Sequence, residues 1–398
     1  MALASGNFMV GTGGYGTTLA TKLDKIDCSQ VLAAVLLADK QLLGHIRMGA
    51  SGTTVEHNWL EDELSPAYVI GQSAASTTLT INSFGTSTSL RRCVRDNAVL
   101  QPAGKQWLFQ VSATSSSILL NGATYGNTTA GYATFDTATK CYIIANPYTD
   151  IADASDDISQ ARSKRKNFMQ IFERAVAISQ TRKNMDMEAV LDELQLQIKY
   201  RTMEIKRELD MSVVRGFARG LTPSGSYELR TMAGLIQLLR DPDLDGGTYE
   251  DTTVINTAGA LTITALNSLC YKVFDQGGLD ETADPILVVG PKQQRVVAGM
   301  ESYLRRVEQG ERKVGYYRDI FLSDMGTEMP IVMDRWMPDD LCMLLDRSRV
   351  SLVPLQGDAW HIEKMAKTGR SEKWQISGQY TLELRNASKC HGLLYGLT

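Results

Sequence analysis

The first clear pattern along the chain is an alternation of side chains with a period of two, between residues 53 and 64. Val55, His57 and Trp59 fall on one face of this segment. Such a period is typical of a β-strand, because successive side chains of a strand point to opposite faces. A second strand-like run, at residues 167–179, returns much later in the sequence. The two runs predict strands on either side of a long stretch of different character.

That stretch runs from Pro66 to Asp157, is rich in Ser and Thr, and has almost no helical pattern. It predicts short strands at residues 77–81, 107–111, 117–120 and 140–145. Asn121-Gly122 predicts a hairpin turn, because both central positions of such a turn need a positive φ. Short strands at close spacing favour a small β-barrel or sandwich. Four aspartates near the end predict an exit linker: Asp150, Asp153, Asp156 and Asp157.

Helical periodicity follows, over residues 187–213. Apolar residues recur at spacings of three, four and seven, which places one stripe along a long helix: Leu191, Leu194, Ile198, Ile205 and Leu209. Glu204 is predicted to pair on the helix surface with both Arg201 and Arg207. The helix is predicted to end at the helix-breaking residues that follow, Gly216, Gly220 and Pro223.

Residues 224–318 alternate between helix and strand patterns and predict a compact α/β unit. One helix is predicted near residues 227–240, before Pro242, with these side chains inward: Leu229, Met232, Ile236 and Leu239. Another is predicted near residues 262–276, with Gly277 as C-cap and these side chains inward: Leu266, Leu269, Val273 and Phe274. A buried strand is predicted from Pro285 to residue 289, and Pro291 then starts a helix at its favoured first position.

The two ends of the chain differ in character. Residues 319–398 predict mostly strands, at residues 331–333, 341–345, 350–353 and 374–384. Residues 1–18 are rich in Ala, Gly, Ser and Thr. Glycine loses much backbone entropy on ordering, so we expect a mobile arm there unless a partner fixes it. Residues 19–43 are more apolar and predict a short helix.

Composition narrows the class of protein. The 398 residues are 43% hydrophobic and 22% charged, which is ordinary for a folded protein of two to three domains. The formal net charge of −4 lacks the clustered lysines and arginines of a DNA-coating surface. The six cysteines are scattered and predict buried reduced thiols. No signal peptide is predicted, and the longest apolar stretch, residues 31–38, is too short to cross a bilayer.

One motif resembles a cofactor site. Gly11-Thr-Gly13-Gly-Tyr-Gly16 matches G-x-G-x-x-G. A dinucleotide site needs a buried strand directly before the first glycine and βαβ units after it. The preceding residues are only weakly apolar, and the following ones predict strands and turns, so we favour a glycine-rich arm. A nucleotide-cofactor-binding enzyme stays open as an alternative from a different functional class.

The remaining candidate chemistry has a structural interpretation. The four histidines lack metal-ligand spacing and are expected to be structural: His45, His57, His361 and His391. Two acidic runs, Glu61-Asp62-Glu63 and Asp339-Asp340, are expected at solvated surface or turns, and Lys164-Arg165-Lys166 in a solvated loop. We therefore assign no catalytic, cofactor-binding or metal-binding residue and expect no cofactor.

The order of several segments is more informative than any single motif. The first segments are Trp59–Leu64 and Asn167–Phe172 with Ala177–Ser179. Later ones are Tyr316–Gly326, Ile331–Arg335 and Pro338-Asp339. The clearest segments are Ala366–Gly369, Ser371–Lys373, Gln375-Ile376, Gly378–Glu383 and Arg385-Asn386. In this order the segments, over residues 53–397, resemble the Hong Kong 97-type major capsid proteins of tailed double-stranded DNA bacteriophages. The resemblance is to a subgroup with a β insertion in the extended loop. The glycine-rich arm has no clear counterpart there.

The resemblance implies an α+β fold of the Hong Kong 97 type, with a long spine helix, an axial α/β domain and an inserted small β domain. It implies the following division: residues 1–44 as N-terminal arm; 45–182 as extended loop, with the inserted β domain at about 66–157; 183–223 and 319–398 as peripheral domain including the spine helix; and 224–318 as axial domain. The β insertion is expected on the outer surface of the shell.

The resemblance also implies a function. The chain is expected to assemble with itself, as hexamers and pentamers, into the icosahedral shell of a virion, with portal, scaffold and decoration proteins as partners. Packaged DNA is expected to touch it only non-specifically, and no membrane partner is expected. A stiff body from Met185 onward and pliant extensions would suit inequivalent positions, with Trp59 buried only in the assembly. A nanocompartment shell of the same fold, with protein cargo, stays open as the nearest alternative.

Overall fold

The computed structural model describes residues 42–62, 67–75, 78–81, 94, 97–104, 108–114, 118–125, 139–148, 150, 162–183, 193–219, 229–244, 253–300, 304–308, 317–367 and 369–398. The predicted mobile arm, the predicted helix up to residue 41, the glycine motif and most of the predicted exit linker lie outside these ranges. Two compact units are present. One comprises the described residues up to Trp59 and from Arg165 on, and the other runs from Leu60 to Lys164.

The strands, in chain order, are β1 Arg47–Met48, β2 Glu56–Glu61, β3 Tyr68–Ala75, β4 Thr78–Ile81, β5 Val99–Pro102, β6 Leu108–Thr114, β7 Ile118–Tyr125, β8 Thr139–Ala145, β9 Ser163–Phe168, β10 Gln170–Ser179, β11 Val254–Gly259, β12 Pro285–Val289, β13 Leu304–Glu308, β14 Tyr317–Leu322, β15 Glu328–Met333, β16 Cys342–Asp346, β17 Val350–Pro354, β18 His361–Lys364, β19 Ser371–Leu384 and β20 Gly392–Leu397. The helices are α1 Gln180–Lys183, α2 Glu193–Arg215, α3 Leu235–Arg240, α4 Ile263–Asp275, α5 Pro291–Ala298 and α6 Ala387–Cys390.

The unit from Leu60 to Lys164 contains a closed β-barrel with the strand order β3-β4-β7-β6-β5-β8. Every neighbouring pair in this order is antiparallel, so no strand edge is left open around the ring. Its centre is fully buried and apolar, with contributions from Val69, Leu100, Val111 and Cys141. The predicted small β-barrel in this stretch is therefore confirmed.

The predicted turn at Asn121-Gly122 is wrong, because both residues lie inside β7. Phe109 pairs with Thr124 and Gln110 pairs with Asn121, so β7 carries extra residues opposite β6 at this point. Such a bulge bends a strand and is a usual place for glycine, as a tight turn is. The Asn-Gly pair, which also favours tight turns, therefore occupies a bulge within β7 and not a hairpin turn.

The larger unit is organised by a sheet of seven strands in the order β11-β20-β16-β12-β15-β14-β13. Its strand β12 lies parallel to β15 and antiparallel to β16, and all five of its residues are buried. Ile286 and Val288 join the hydrophobic core that contains α2 and α3, whereas Leu287 and Val289 join the core that contains α4. Apolar packing on both faces confirms the buried strand predicted from Pro285 to residue 289.

A second sheet carries the long strand β19, which pairs with β10 along one edge and with β17 and then β18 along the other. Helix α2 packs against β10 through a stripe of buried residues at positions i, i+4 and i+8: Ile205, Leu209 and Val213. The predicted long helix is thus confirmed from Glu193, and it ends at Arg215, directly before Gly216. Arg201 bonds Glu204 as predicted, at 2.5 Å.

The predicted pair between Glu204 and Arg207 is wrong. Within the part of the chain that the structure describes, the Arg207 guanidinium has no hydrogen bond and no ion pair. The Glu204 carboxylate pairs instead with Arg201, which lies one helical turn before it. Arg207 is therefore left with all its donors available to solvent or to another molecule.

The predicted helix near residues 227–240 is shorter in the structure, where α3 begins only at Leu235. Before it, Thr231 forms an antiparallel bridge with Arg219, and Leu229 is 70% exposed instead of inward. Gly234 is extended at the helix start, and a Cβ there would lie 2.5 Å from the Gly216 nitrogen. The backbone at Gly234 packs directly against the backbone at the end of α2. This contact keeps the residues before Leu235 extended, so the helix begins later than predicted.

The helix predicted near residues 262–276 is confirmed as α4, with the Thr262 side chain accepting a hydrogen bond from Ala265 at its start and Gly277 at φ +91 after its end. Leu266, Leu269 and Val273 are buried as predicted. Phe274 is a correction, since 56% of it is exposed and Cys270 takes the inward position. Helix α5 starts at Pro291, as predicted.

The amide of Asn167 connects three parts of the larger unit. Its Nδ2 donates to the carbonyls of Ala233, at 3.1 Å, and Leu382, at 2.7 Å. Its Oδ1 accepts from the backbone nitrogens of Phe168 and Ala233, both at 2.8 Å. The side chain is completely buried, and its hydrogen bonds join β9, β19 and the segment before α3 directly. Gln170 adds a fifth bond, from the Met232 nitrogen to its Oε1 at 3.1 Å.

Replacing Asn167 by Ala should lower the free energy of unfolding of the purified subunit by about 3 kcal/mol or more, because several buried backbone groups lose their partner at once. Urea titration followed by circular dichroism measures this loss. Asn58→Ala is the matched control, since Asn58 is exposed and makes only a 3.4 Å bond to the Glu56 carbonyl. Equal stability of the two variants would contradict the assigned role.

Candidate functional site

The four histidines are all engaged inside the fold. His361 lies 3.0 Å from the Ser377 hydroxyl, and His45 lies 3.3 Å from the Arg347 guanidinium. His57 and His391 take part in the two clusters described below. Among the described residues, no group of three or more His, Cys, Asp or Glu side chains is arranged to hold a metal ion.

The root of the first loop strand is fixed to the sheet by a charged cluster. His57 Nε2 on β2 lies 2.9 Å from Glu383 Oε2 on β19, and Arg385 bonds the other carboxylate oxygen of Glu383 at 2.5 Å. Burial of Glu383 raises its pKa, but the hydrogen bonds from His57 and Arg385 outweigh burial, so the net pKa lies below the ordinary value. The carboxylate is therefore charged and paired, which anchors the strand to the sheet.

Trp59 and Glu61 follow His57 at intervals of two and are both buried, each 7% exposed. The expectation that Trp59 becomes buried only in an assembly is thus wrong, because the single chain already covers it. The expectation that Glu61 is solvated is also wrong, since it shares the inward parity of the strand. Leu60, of opposite parity, is 63% exposed.

The basic run Lys164-Arg165-Lys166 is also corrected, because it lies in β9 and not in a loop. Arg165 forms an ion pair with Asp243, in the turn after α3. The alternating strand pattern holds the Arg165 side chain at 15% exposure against this turn. The acidic pair Asp339-Asp340 is exposed, as expected for a turn.

A second buried cluster surrounds Asp346, at the end of β16. Its Oδ1 accepts from the Ser348 hydroxyl at 2.7 Å and from the Asp284 nitrogen at 3.0 Å, and Oδ2 accepts from Arg349 at 3.0 Å. Burial raises the pKa of Asp346, but the Ser348 and Asp284 bonds outweigh burial and hold the net pKa below its ordinary value. His391 accepts a bond from the Asp346 nitrogen at its Nδ1, 3.1 Å away.

The geometry fixes the protonation of His391. Because Nδ1 accepts a hydrogen bond, the proton resides on Nε2, which donates to the Arg385 carbonyl at 3.2 Å. The ring is completely buried, and burial lowers the pKa of His391 from 6.5 to about 4. The fold therefore holds a neutral histidine.

A pH dependence of stability follows from this histidine. The unfolded chain binds a proton at His391 below pH 6.5, whereas the folded chain resists it down to about pH 4. The free energy of unfolding is therefore highest above pH 6.5, and it decreases as the pH falls from 6.5 toward 4, because only the unfolded chain takes up the proton. His391 alone should make the subunit about 2 kcal/mol less stable at pH 5 than at pH 7, since each pH unit within the window costs about 1.4 kcal/mol.

Urea unfolding at pH 5 and pH 7 measures this difference. The His391→Gln variant retains one donor and one acceptor but does not titrate, so it should show a smaller drop than the natural chain. His361→Gln, at a histidine whose side chain is 37% exposed, is the control and should keep the full drop. An unchanged drop in His391→Gln would contradict the assignment.

A basic groove lies where α2 passes β10. It has a volume of about 400 Å³ and is lined by Arg174, Glu204, Arg207, Glu208, Met211, Ser212, Arg215 and Gly216. Arg174 bonds Glu208 at 2.6 Å, and Glu204 bonds Arg201, so both glutamates are occupied. Arg215 uses its Nε for the Trp336 carbonyl at 2.5 Å. The unoccupied guanidinium of Arg207 gives the groove an excess of positive charge.

The face of β10 turned away from α2 carries an exposed apolar side chain beside an exposed acidic one. Ile171, which is 50% exposed, and Glu173 lie on this face next to the small side chain of Ala175. Glu363 of β18 shares the face, because Glu363 pairs with Gln375 and Gln375 pairs with Ala175. No hydrogen bond or ion pair of the Glu173 or Glu363 side chain occurs within the described ranges.

Four cysteines lie within the described ranges, and all are buried and free: Cys141, Cys270, Cys342 and Cys390. Burial raises the pKa of Cys141 and of Cys270 to about 11. The prediction of buried reduced thiols is confirmed for these four. No described helix is both long and apolar enough to cross a membrane.

Comparison with solved structures identifies the fold. The capsid asymmetric unit of cyanophage A-1(L) matches with a TM-score of 0.54 and 11% identity, over 96% of this chain and 99% of that chain. The capsid of a native GTA particle matches with a TM-score of 0.49 and 10% identity, over 98% and 100%. The SrpI encapsulin of Synechococcus elongatus matches with a TM-score of 0.41 and 14% identity, over 59% and 76%. The fold is that of Hong Kong 97-type capsid subunits.

The family can be stated more narrowly. The family model described as SU10 major capsid protein matches residues 11–398. The chain therefore belongs to the SU10 major capsid protein family, and it is a structural subunit of a virion shell built from many copies of itself. No curated protein sequence matches the chain. The predicted fold class, with its inserted β domain, and the predicted family are confirmed.

Proposed function

We propose that this protein builds the icosahedral head shell of a tailed bacteriophage, as hexamers and pentamers that enclose double-stranded DNA, and that it has no catalytic role. The observation that carries this proposal is the family match over residues 11–398. Engaged histidines and buried, protonated thiols support a structural role, since the described part of the chain presents no activated nucleophile or base.

The parts of the chain take different roles in this proposal. Residues 1–44 act as an arm, and residues 45–182 act as the extended loop with the barrel at its tip, on the outer surface. Residues 183–223 and 319–398 form the peripheral domain, and residues 224–318 form the axial domain at the capsomer centre. The anchored loop root at His57 and Asn167 supports this division, because it separates a firmly held base from the barrel that follows.

The partners follow from the shell and its charge. Portal, scaffold and decoration proteins act on the shell, which assembles in the host cytoplasm before it becomes part of the virion. The net charge of −4 indicates that the shell encloses the packaged DNA without binding it tightly, because strong binding would need an array of basic side chains.

Expression of the chain, followed by negative-stain electron microscopy, should show rings, shells or tubes. A truncated chain that begins at Leu19 should remain folded but assemble at a much lower yield, because in this proposal the glycine-rich arm contributes contacts to neighbouring subunits. Circular dichroism and particle counts measure the two properties separately. Shells of normal yield from the truncated chain would contradict the role of the arm.

The barrel should be removable without unfolding the rest. Arg162 Nε lies 3.1 Å from Asp62 Oδ2, so the chain leaves the barrel beside the point where it enters. Joining residues 62 and 162 through a short glycine-rich turn should give a folded subunit with a melting temperature within a few degrees of the full chain. A change of only one or two residues in a surface loop is the appropriate control. Loss of cooperative unfolding would show that the barrel is part of the core.

A further inference from the structure

The groove between α2 and β10 has donors that the single chain does not use. Arg207 is the clearest, because its guanidinium has no hydrogen bond or ion pair among the described residues. Met211 lies one helical turn further on and is 40% exposed, although it is a large apolar side chain. The groove therefore offers a positive charge and an apolar contact side by side. Such a surface is complementary to one that presents a carboxylate next to an aliphatic side chain.

The outer face of β10 presents that combination. Ile171 is 50% exposed and Glu173 is exposed two positions later. Along a strand, two residues span about 6.8 Å, and along a helix, four residues span about 6 Å. The separation between Ile171 and Glu173 thus matches the separation between Met211 and Arg207. Ala175, next on the same face, has only a methyl side chain, which leaves room for a neighbouring helix to approach.

The two surfaces lie back to back on one strand. Arg174 points toward α2 and lines the groove, whereas Glu173, the preceding residue, points to the other side of the sheet. A chain that has a donor surface on one side and its complement on the other cannot satisfy both within itself. It can satisfy both by a head-to-tail contact, and such contacts close into rings when the rotation between copies permits.

We propose that the groove at Arg207 and Met211 receives the Ile171–Glu173 face of β10 from a second copy of this chain. Glu173 of one copy pairs with Arg207 of the next, and Ile171 covers Met211. This inference rests on the proposed function, because it names the partner surface that a ring-forming subunit uses. Glu363 adds a second carboxylate on the same side of the sheet, two strands away from β10.

Charge reversal tests the contact. Arg207→Glu and Glu173→Arg each place like charges against each other, and each should lower the assembled fraction at a fixed subunit concentration by about 10-fold or more, since the defect repeats at every contact. Neither side chain has an ion pair within the described chain, so both variants should keep the melting temperature of the natural subunit. The double variant, which restores opposite charges, should recover closed shells.

Mixing the two single variants gives the sharpest result. The acidic groove of the Arg207→Glu variant then meets the basic face of the Glu173→Arg variant, and the unmodified groove of the second meets the unmodified face of the first. Every contact in an alternating ring is therefore favourable. Because alternation needs an even number of members, the mixture should form six-membered rings, tubes or sheets. Sedimentation and negative-stain microscopy of nuclease-treated subunits measure this recovery.

Lys199→Glu is the matched control, because Lys199 is exposed on the same helix but does not line the groove. Lys199→Glu should assemble alone like the natural chain, and in a mixture it should leave the Glu173→Arg subunits unassembled. Incorporation of Glu173→Arg subunits by Lys199→Glu to the same extent as by Arg207→Glu, or no recovery with Arg207→Glu, would overturn the inference. So would normal assembly of Arg207→Glu together with reduced retention of a DNA fragment, which would assign the groove to nucleic acid. The natural chain is assembled in parallel, and its failure alone would count against the proposed function.

Discussion

The larger unit depends on one buried amide. Asn167 stands where β9 gives way to β10, and its side chain bonds four backbone groups that belong to three separate parts of the chain. Because the site is closed to solvent, each of these groups would otherwise lose a hydrogen bond that it makes in the unfolded chain. An apolar residue of similar size would fill the space but leave the segment before α3 without its partner. The chain can therefore depart from the sheet into the loop strands and still return to a fixed position.

The charged clusters act on the same principle. Glu383 and Asp346 are both buried carboxylates with a pKa below the ordinary value, and in each case hydrogen bonds outweigh burial. Breaking such a cluster leaves an uncompensated charge, so these clusters specify one arrangement strongly even where they add little net stability. They lie at the base of the loop and between β16 and β20, where separate segments must meet in register. The exposed groove differs, because its unsatisfied Arg207 faces solvent at little cost.

Sequence patterns predict those helices and strands whose formation depends on the residues of the segment itself. The alternation from Val55 onward, the stripe of α2 and the all-apolar run from Pro285 each follow from a single face or two faces packed against apolar neighbours. The patterns fail where contact with a segment distant in the sequence determines the local conformation. The start of α3 depends on Gly216 meeting Gly234, and the bulge at Asn121 depends on the register of β6. They also miss strand β20, because Gly392 and Gly396 interrupt its short apolar run. Nothing in the sequence places Glu173 and Arg207 on opposite sides of one layer, since that requires the packing of α2 on β10.

The proximity of Asp62 and Arg162 affects how the barrel can change during evolution. A module whose first and last residues adjoin can be gained, lost or exchanged in a lineage without altering the spacing of the strands on which it is mounted. Selection can therefore act on the barrel alone, while the strands that lead into and out of it keep their spacing. Relatives that differ in this module are expected to retain the same anchoring residues around it and to diverge fastest within it.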